Sequence, residues 1–196
     1  MKRIGYGWQV QVYEYNQDTV YKKPQSLIRS VLVMIKDFPM VIFMPSTLKR
    51  LLREVRTIHH ESLLKVSKRS DLSDLIGNPI IESSGAYYQQ KVIPIHFYIK
   101  GLSVKDFKTL VNKFVDFTFD LYQQGIIDKS FNFLKNFGVD NNGKFVLIDL
   151  GELYFDKQQI EDQIQRRPWA RPQFLILLSK EKREYFLKMM DGRFVD

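Results

Sequence analysis

Asn136 and Asp149 stand thirteen positions apart, with the makings of a hairpin between them. Phe137-Gly138-Val139 is a short apolar run, Asp140-Asn141-Asn142-Gly143 has hairpin-turn chemistry, and Phe145-Val146-Leu147-Ile148 is a β-branched, apolar strand. Such a hairpin sets the residue before its first strand close to the residue after its second. An amide oxygen from Asn136 and a carboxylate from Asp149 would then meet. Mg²⁺ takes hard oxygens of this kind together with substrate phosphates. Gly151 lets the backbone turn sharply past the carboxylate. A second pair of glycines, Gly5 and Gly7, lies near the start of the chain, where backbone amides between strands can approach a phosphate.

The elements that must position these groups follow from periodicity. Val10, Val12 and Tyr13 predict a strand, Asn16-Gln17-Asp18 a turn, and Thr19 to Lys23 a second strand stopped by Pro24. Strand alternation puts Lys22 and Lys23 on opposite faces, so one of them points inward. Gln25 to Pro45 predicts a short helix over 27–35 and then an apolar segment, Met40 to Met44, expected to pack in the core, with exposed use as a lid or partner surface as the alternative. Ser46 or Thr47 caps a predicted helix running to about His60. Its apolar face is Leu48, Leu51, Leu52, Val55 and Ile58, with Glu54 beside it. Strands over 79–82 and 86–92 complete a small antiparallel sheet, and 94–100 is a further extended stretch. The capping box Ser103 to Asp106 opens a long helix to about Gln123, whose Phe107, Leu110, Val111, Phe114, Val115, Thr118, Leu121 and Tyr122 fall at helical spacing. Residues 158–167 are helical, 166–172 form a basic aromatic loop (a solvated turn or an anion site), and 174–190 give one or two last helices.

Composition bounds the classes. At 196 residues, 44% hydrophobic and 14% aromatic, the chain can bury a core as one domain or two small lobes. It has no cysteine, which excludes disulfides and thiolate metal sites, and its three histidines are spread too poorly for a zinc site. The net charge of +8 steers toward anions without choosing among them. No zinc finger, RNP-type strand pair or helix-turn-helix signature is present, so nucleic-acid binding rests on charge alone. The apolar run from Ser30 to Met44 is broken by Lys36-Asp37 and Pro39 and falls short of the ~20 apolar residues of a membrane span. The first residues lack the apolar core of a signal peptide, so a cytoplasmic location is expected.

Taken together, these motifs resemble the protein-kinase-like fold. Asn136 and the VLIDLG run ending in Asp149-Leu150-Gly151 resemble the catalytic-loop asparagine and the metal-binding strand-Asp-x-Gly segment of that fold. Ile4-Gly5-x-Gly7 through Val12 resembles the glycine-rich loop, with Gly5 and Gly7 on its first two glycines and Val12 on the valine that packs against the base. Val10 stands where the third glycine usually sits. The resemblance makes V-Y-K-K the lysine strand. Its alignment favours Lys23 as the phosphate-binding lysine, while Lys22, in phase with Val20, stays open. Glu54 matches the glutamate that pairs with that lysine, and REVRTIHH resembles the end of the glutamate-bearing helix.

The resemblance covers about residues 4 to 155 and implies an α+β, bilobal architecture. Residues 1–100 would form an N-lobe of antiparallel sheet and one principal helix, and 101–196 a reduced helical C-lobe, closer to compact bacterial sugar or lipopolysaccharide kinases than to full protein kinases. It also implies ATP and Mg²⁺ as cofactors. Asn136 and Asp149 would hold the metal, Gly5, Gly7, Val12 and Lys23 would contact the nucleotide, and a hydroxyl on a protein, sugar or lipid-linked acceptor would receive the γ-phosphoryl group. The departure lies in the catalytic loop. Five residues before Asn136, where the family carries its aspartate, stands Phe131, which accepts no proton. Asp128 is the nearest carboxylate and the candidate to orient the acceptor. Two alternatives stand beside this reading: a nucleotide-binding pseudokinase serving as an interaction module, and a basic nucleic-acid-binding protein.

Overall fold

The computed structural model describes residues 1–195, and of Asp37, Glu54 and Arg56 the backbone alone. The chain gathers into two units: Met1–Lys91 with Leu150–Glu152, and Val92–Asp149 with Leu153–Asp196.

In the first unit β1 (Lys2–Tyr6), β2 (Val10–Glu14) and β3 (Thr19–Pro24) form an antiparallel meander. α1 (Leu27–Asp37) follows, capped by Ser26, whose Oγ accepts from Arg29 N. A 3₁₀ turn, Pro39–Phe43, leads to α2 (Pro45–Arg53), a π-type turn (Glu54–Ile58) and α3 (His59–Val66). The predicted helix to His60 therefore continues to Val66 and changes its winding at Glu54, the pattern of a π-bulge. The segment Met40 to Met44 is not core, because Val41 alone is fully buried while its neighbours are exposed. β4 (Ile80–Ile81) and β5 (Tyr87–Gln90) close the sheet in the order β1-β2-β3-β5-β4.

The second unit begins with β6 (Ile93–Pro94) and α4 (Ile95–Tyr98), so most of the stretch expected to be extended is a helical turn. α5 (Val104–Gln123) starts at Ser103, whose Oγ accepts from Asp106 N at 3.1 Å. β7 (Ile127–Asp128), β8 (Phe137–Val139), β9 (Phe145–Leu147) and β10 (Leu153–Tyr154) follow, then α6 (Lys157–Gln165) and α7 (Lys180–Phe194). The small sheets are β6-β8-β9 and the β7-β10 pair. Phe114 of α5 is the hub of the core: Phe133, Phe137 and Phe145 meet it edge-on at centroid distances of 4.7, 4.9 and 5.5 Å. Much of the chain's phenylalanine content is spent there. The basic aromatic loop is pinned at Trp169, while Arg166 and Arg167 stay exposed. Trp169 is fully buried and its indole Nε1 donates to Asp191 Oδ1 at 2.9 Å, an oxygen that also accepts from Arg167 Nε.

Candidate functional site

The site in the second unit is built on the β8-β9 hairpin. Its register pairs Phe137 with Leu147 and Val139 with Phe145. Asp140 Oδ1 accepts from Asn142 N and Lys144 N, both at 2.8 Å, and Gly143 takes the positive φ of 77° that the turn demands. Gly138 has no room for a side chain: a Cβ there would overlap Val92, beside its partner strand β6. The hairpin closes on Asn136, whose backbone oxygen accepts from Ile148 N at 2.8 Å and Asp149 N at 3.4 Å. Asn136 and Asp149 are thus neighbours through their backbones.

A second tie holds the Asn136 side chain. Its Nδ2 donates to Asp128 Oδ2 at 2.9 Å and to Ser130 Oγ at 2.8 Å. Both amide hydrogens are engaged, and among the described residues no donor reaches its Oδ1. Asp128 is 1% exposed, and its carboxylate also accepts from Ser130 N, Ser130 Oγ and Asn132 N. Phe131 sits between those two amides with φ of 49°, a left-handed conformation costly for an aromatic residue. That turn wraps the loop around the carboxylate while the Phe131 ring joins the core, 5.6 Å from Trp169. Burial, reinforced by the Asp149 charge, pushes the Asp128 carboxyl up to about 7, and its hydrogen bonds from Asn136, Asn132 and Ser130 act in the opposite direction. Asp149 itself is half-buried.

Among the described residues no group of three or more His, Asp or Glu gathers that could hold a metal by protein ligands alone. The donor set suits Mg²⁺ in its usual mode, one or two protein oxygens completed by phosphates.

The first unit carries the other residues singled out by sequence. Gly5 lies opposite Val12 in the β1-β2 ladder. Gly7 N donates to Val10 O at 2.8 Å, and Gly7 O accepts from Gln25 Nε2 at 2.8 Å. The Gly7 amide is therefore spent inside the hairpin. β3 alternation sends Lys22, not the favoured Lys23, to the buried side. Lys22 is 7% exposed with Nζ 5.5 Å from the Tyr87 ring centroid, whereas Lys23 is exposed. Glu54 falls in the π-type turn, and its side chain lies outside the described residues.

Sequence reading missed a network around Leu150–Glu152. Gln9 Nε2 donates to Glu152 Oε1 at 2.8 Å, Gln9 Oε1 faces His59 Nδ1 at 3.1 Å, and Ser62 Oγ donates to Leu150 O at 2.6 Å. A Cβ on Gly151 would overlap Gln9 Oε1 and His59 Nδ1, so this glycine is needed for space. Ser130 was also missed, although a serine two residues after an aspartate is a local hydrogen-bonding signal. A cavity of about 230 Å³ in the first unit is lined by Gln9, Gln25, Val55, His59 and His60, and neither Asn136 nor Asp149 borders it.

No protein-family model and no curated protein sequence matches the chain. Among solved structures, Rv3197 from Mycobacterium tuberculosis, solved in complex with erythromycin, is similar over 90% of this chain and 52% of its own, with a TM-score of 0.52 and 14% identity. The bifunctional kinase-methyltransferase WbdD is similar over 94% of this chain and 42% of its own, with a TM-score of 0.46 and 13% identity. The chain spans about half the length of the first and less of the second. No helix among the described residues is long and apolar enough to cross a membrane. At 14% identity the likeness to Rv3197 is one of fold alone, a mixed α+β arrangement.

Proposed function

We propose that the chain is an ATP- and Mg²⁺-dependent phosphotransferase that moves the γ-phosphoryl group to a hydroxyl acceptor. The observation that carries this is Asn136, held through both amide hydrogens with its Oδ1 left for a cation, beside Asp149. Asn136 Oδ1 and the Asp149 carboxylate would hold Mg²⁺. When bound, the metal would neutralise charge on the phosphates. Gly5, Val12 and one of Lys22 or Lys23 are the nucleotide contacts in this reading, with Lys22 preferred for its inward side chain. Gly7, whose amide is held by Val10, would contribute closeness of approach and no amide donor, and Glu54 would hold the lysine.

Asp128 positions Asn136 and stores a proton. Ser130 is a half-buried residue whose Oγ lies 3.3 Å from Asp128 Oδ2, so an acceptor hydroxyl would pass its proton to Ser130 Oγ while Ser130 passes its own to Asp128. A carboxyl near 7 is matched to that task at neutral pH.

The test is thermal stability with ATP, with and without Mg²⁺, for wild type and Asp149→Ala. A Mg²⁺-dependent rise lost in the variant supports the reading, and no rise at millimolar nucleotide defeats it. A second reading, nucleotide binding without transfer, is favoured by the burial of Asp128 and by Phe131 in the core. A Mg²⁺-ATP shift with neither hydrolysis nor transfer would select it.

A further inference from the structure

The sixteen residues between Asp37 and Glu54 include no acidic side chain. Within them the 3₁₀ turn Pro39–Phe43 sends Val41 inward and leaves Met40, Ile42 and Phe43 exposed at 59, 55 and 78%, with Phe38 and Met44 exposed on either side. At three residues per turn Met40 and Phe43 share one edge and Ile42 stands about a third of a turn away, so the exposed side chains cover two edges of the turn. They make a knob rather than a groove. α2 follows at once. Its Leu48, Leu51 and Leu52 are half-buried, and Lys49, Arg50 and Arg53 occupy the exposed side. No carboxylate among the described residues pairs with these three cations.

Single exposed apolar residues are ordinary, but five within seven positions, adjoining unpaired cations, form a patch. We propose that this patch binds the surface of an anionic lipid bilayer, with Met40, Ile42 and Phe43 entering the acyl boundary and Lys49, Arg50 and Arg53 at the headgroup phosphates. Charge complementarity selects the lipid: among the described residues the patch from Phe38 to Arg53 presents cationic and apolar side chains, which is the combination that anionic interfaces attract. Shape selects a fluid phase. A knob with apolar side chains on two edges needs a pre-formed pocket in a protein partner, whereas acyl chains conform to it. The long stems of the cations let them reach phosphates while their methylenes stay in the apolar layer. The net charge of +8 draws the whole chain to such a surface. This inference is independent of the nucleotide reading, since neither Asn136 nor Asp149 takes part.

The experiment is co-sedimentation of the full chain with vesicles of phosphatidylcholine alone and of phosphatidylcholine with about a third phosphatidylglycerol. Wild type should bind the anionic vesicles on the order of tenfold better. The double variant Ile42→Ser, Phe43→Ser and the double variant Lys49→Glu, Arg50→Glu should each lose most of that binding. Both change exposed side chains only, and circular dichroism checks that each stays folded. Three results would overturn the proposal: no binding of wild type to anionic vesicles, undiminished binding by the serine variant, or a wild-type dimer that the serine variant converts to monomer. The second would assign binding to net charge alone, and the third would make a second copy of the chain the occupant.

Discussion

Asn136 donates its side-chain amide to Asp128 Oδ2 at 2.9 Å, across eight positions of chain. That bond, with the one to Ser130, spends the nitrogen end of the amide on the protein and leaves the oxygen end for a ligand.

Replacing Asn136 by Ala should therefore abolish the Mg²⁺-dependent part of stabilisation by ATP. For wild type at a hundredfold excess over Kd that stabilisation is about 2.7 kcal/mol. Thermal or urea denaturation with ATP and either Mg²⁺ or EDTA measures it. An unchanged Mg²⁺ increment in Asn136→Ala would remove this residue from the metal site.

The pH dependence of stability follows from Asp128. Its folded-state carboxyl, near 7, lies above the unfolded value of about 3.9. The folded chain then holds the proton more tightly than the unfolded chain, so stability is greatest below about pH 4 on this group's account and falls as pH rises to about 7. Asp128→Asn removes the term. Relative to wild type the variant should gain a few kcal/mol between pH 5 and pH 8. Urea midpoints at the two pH values measure the difference, and parallel pH dependence in both proteins would refute the assignment.

Lys22 and Lys23 should part company in nucleotide binding. Lys22→Met is expected to weaken ATP affinity about tenfold, and Lys23→Met by less than about twofold. Titration of fluorescent ATP against each variant decides between them, and the opposite order would return the role to Lys23.

Gly151→Ala should destabilise the chain by about 1–3 kcal/mol, because the added methyl must displace both Gln9 and the His59 ring. Gln9→Ala in the same chain should recover only part of that loss, since the His59 overlap remains. Full recovery in the double variant would show that His59 yields freely.

The hairpin from Phe137 to Leu147 and the long helix ending at Gln123 were legible in the sequence, because turn residues, a capping box and helical periodicity act locally. Ser130 and the wrapping of its loop around Asp128 were not. They depend on Phe131 adopting a left-handed backbone, which its buried ring compensates and its residue type disfavours. The ends of helices were also hidden: residues 54–58 read as ordinary helix, and the π-type winding has no propensity signature. Met40 to Met44 was misplaced for a different reason. Apolar composition predicts burial only where a neighbouring element offers a surface to cover it, and here Val41 alone finds one.

The two tryptophans are divided one to each unit, Trp8 at the tip of the first hairpin and Trp169 sealed under the bond to Asp191. Trp8 is half-exposed and Trp169 is not exposed at all, so their emission should differ in colour as well as in origin. With Trp8→Phe and Trp169→Phe the chain becomes a pair of single-chromophore reporters. One follows the melting of the glycine hairpin and the other the melting of the phenylalanine core. Coincident transitions would mean that the two units unfold as one cooperative body.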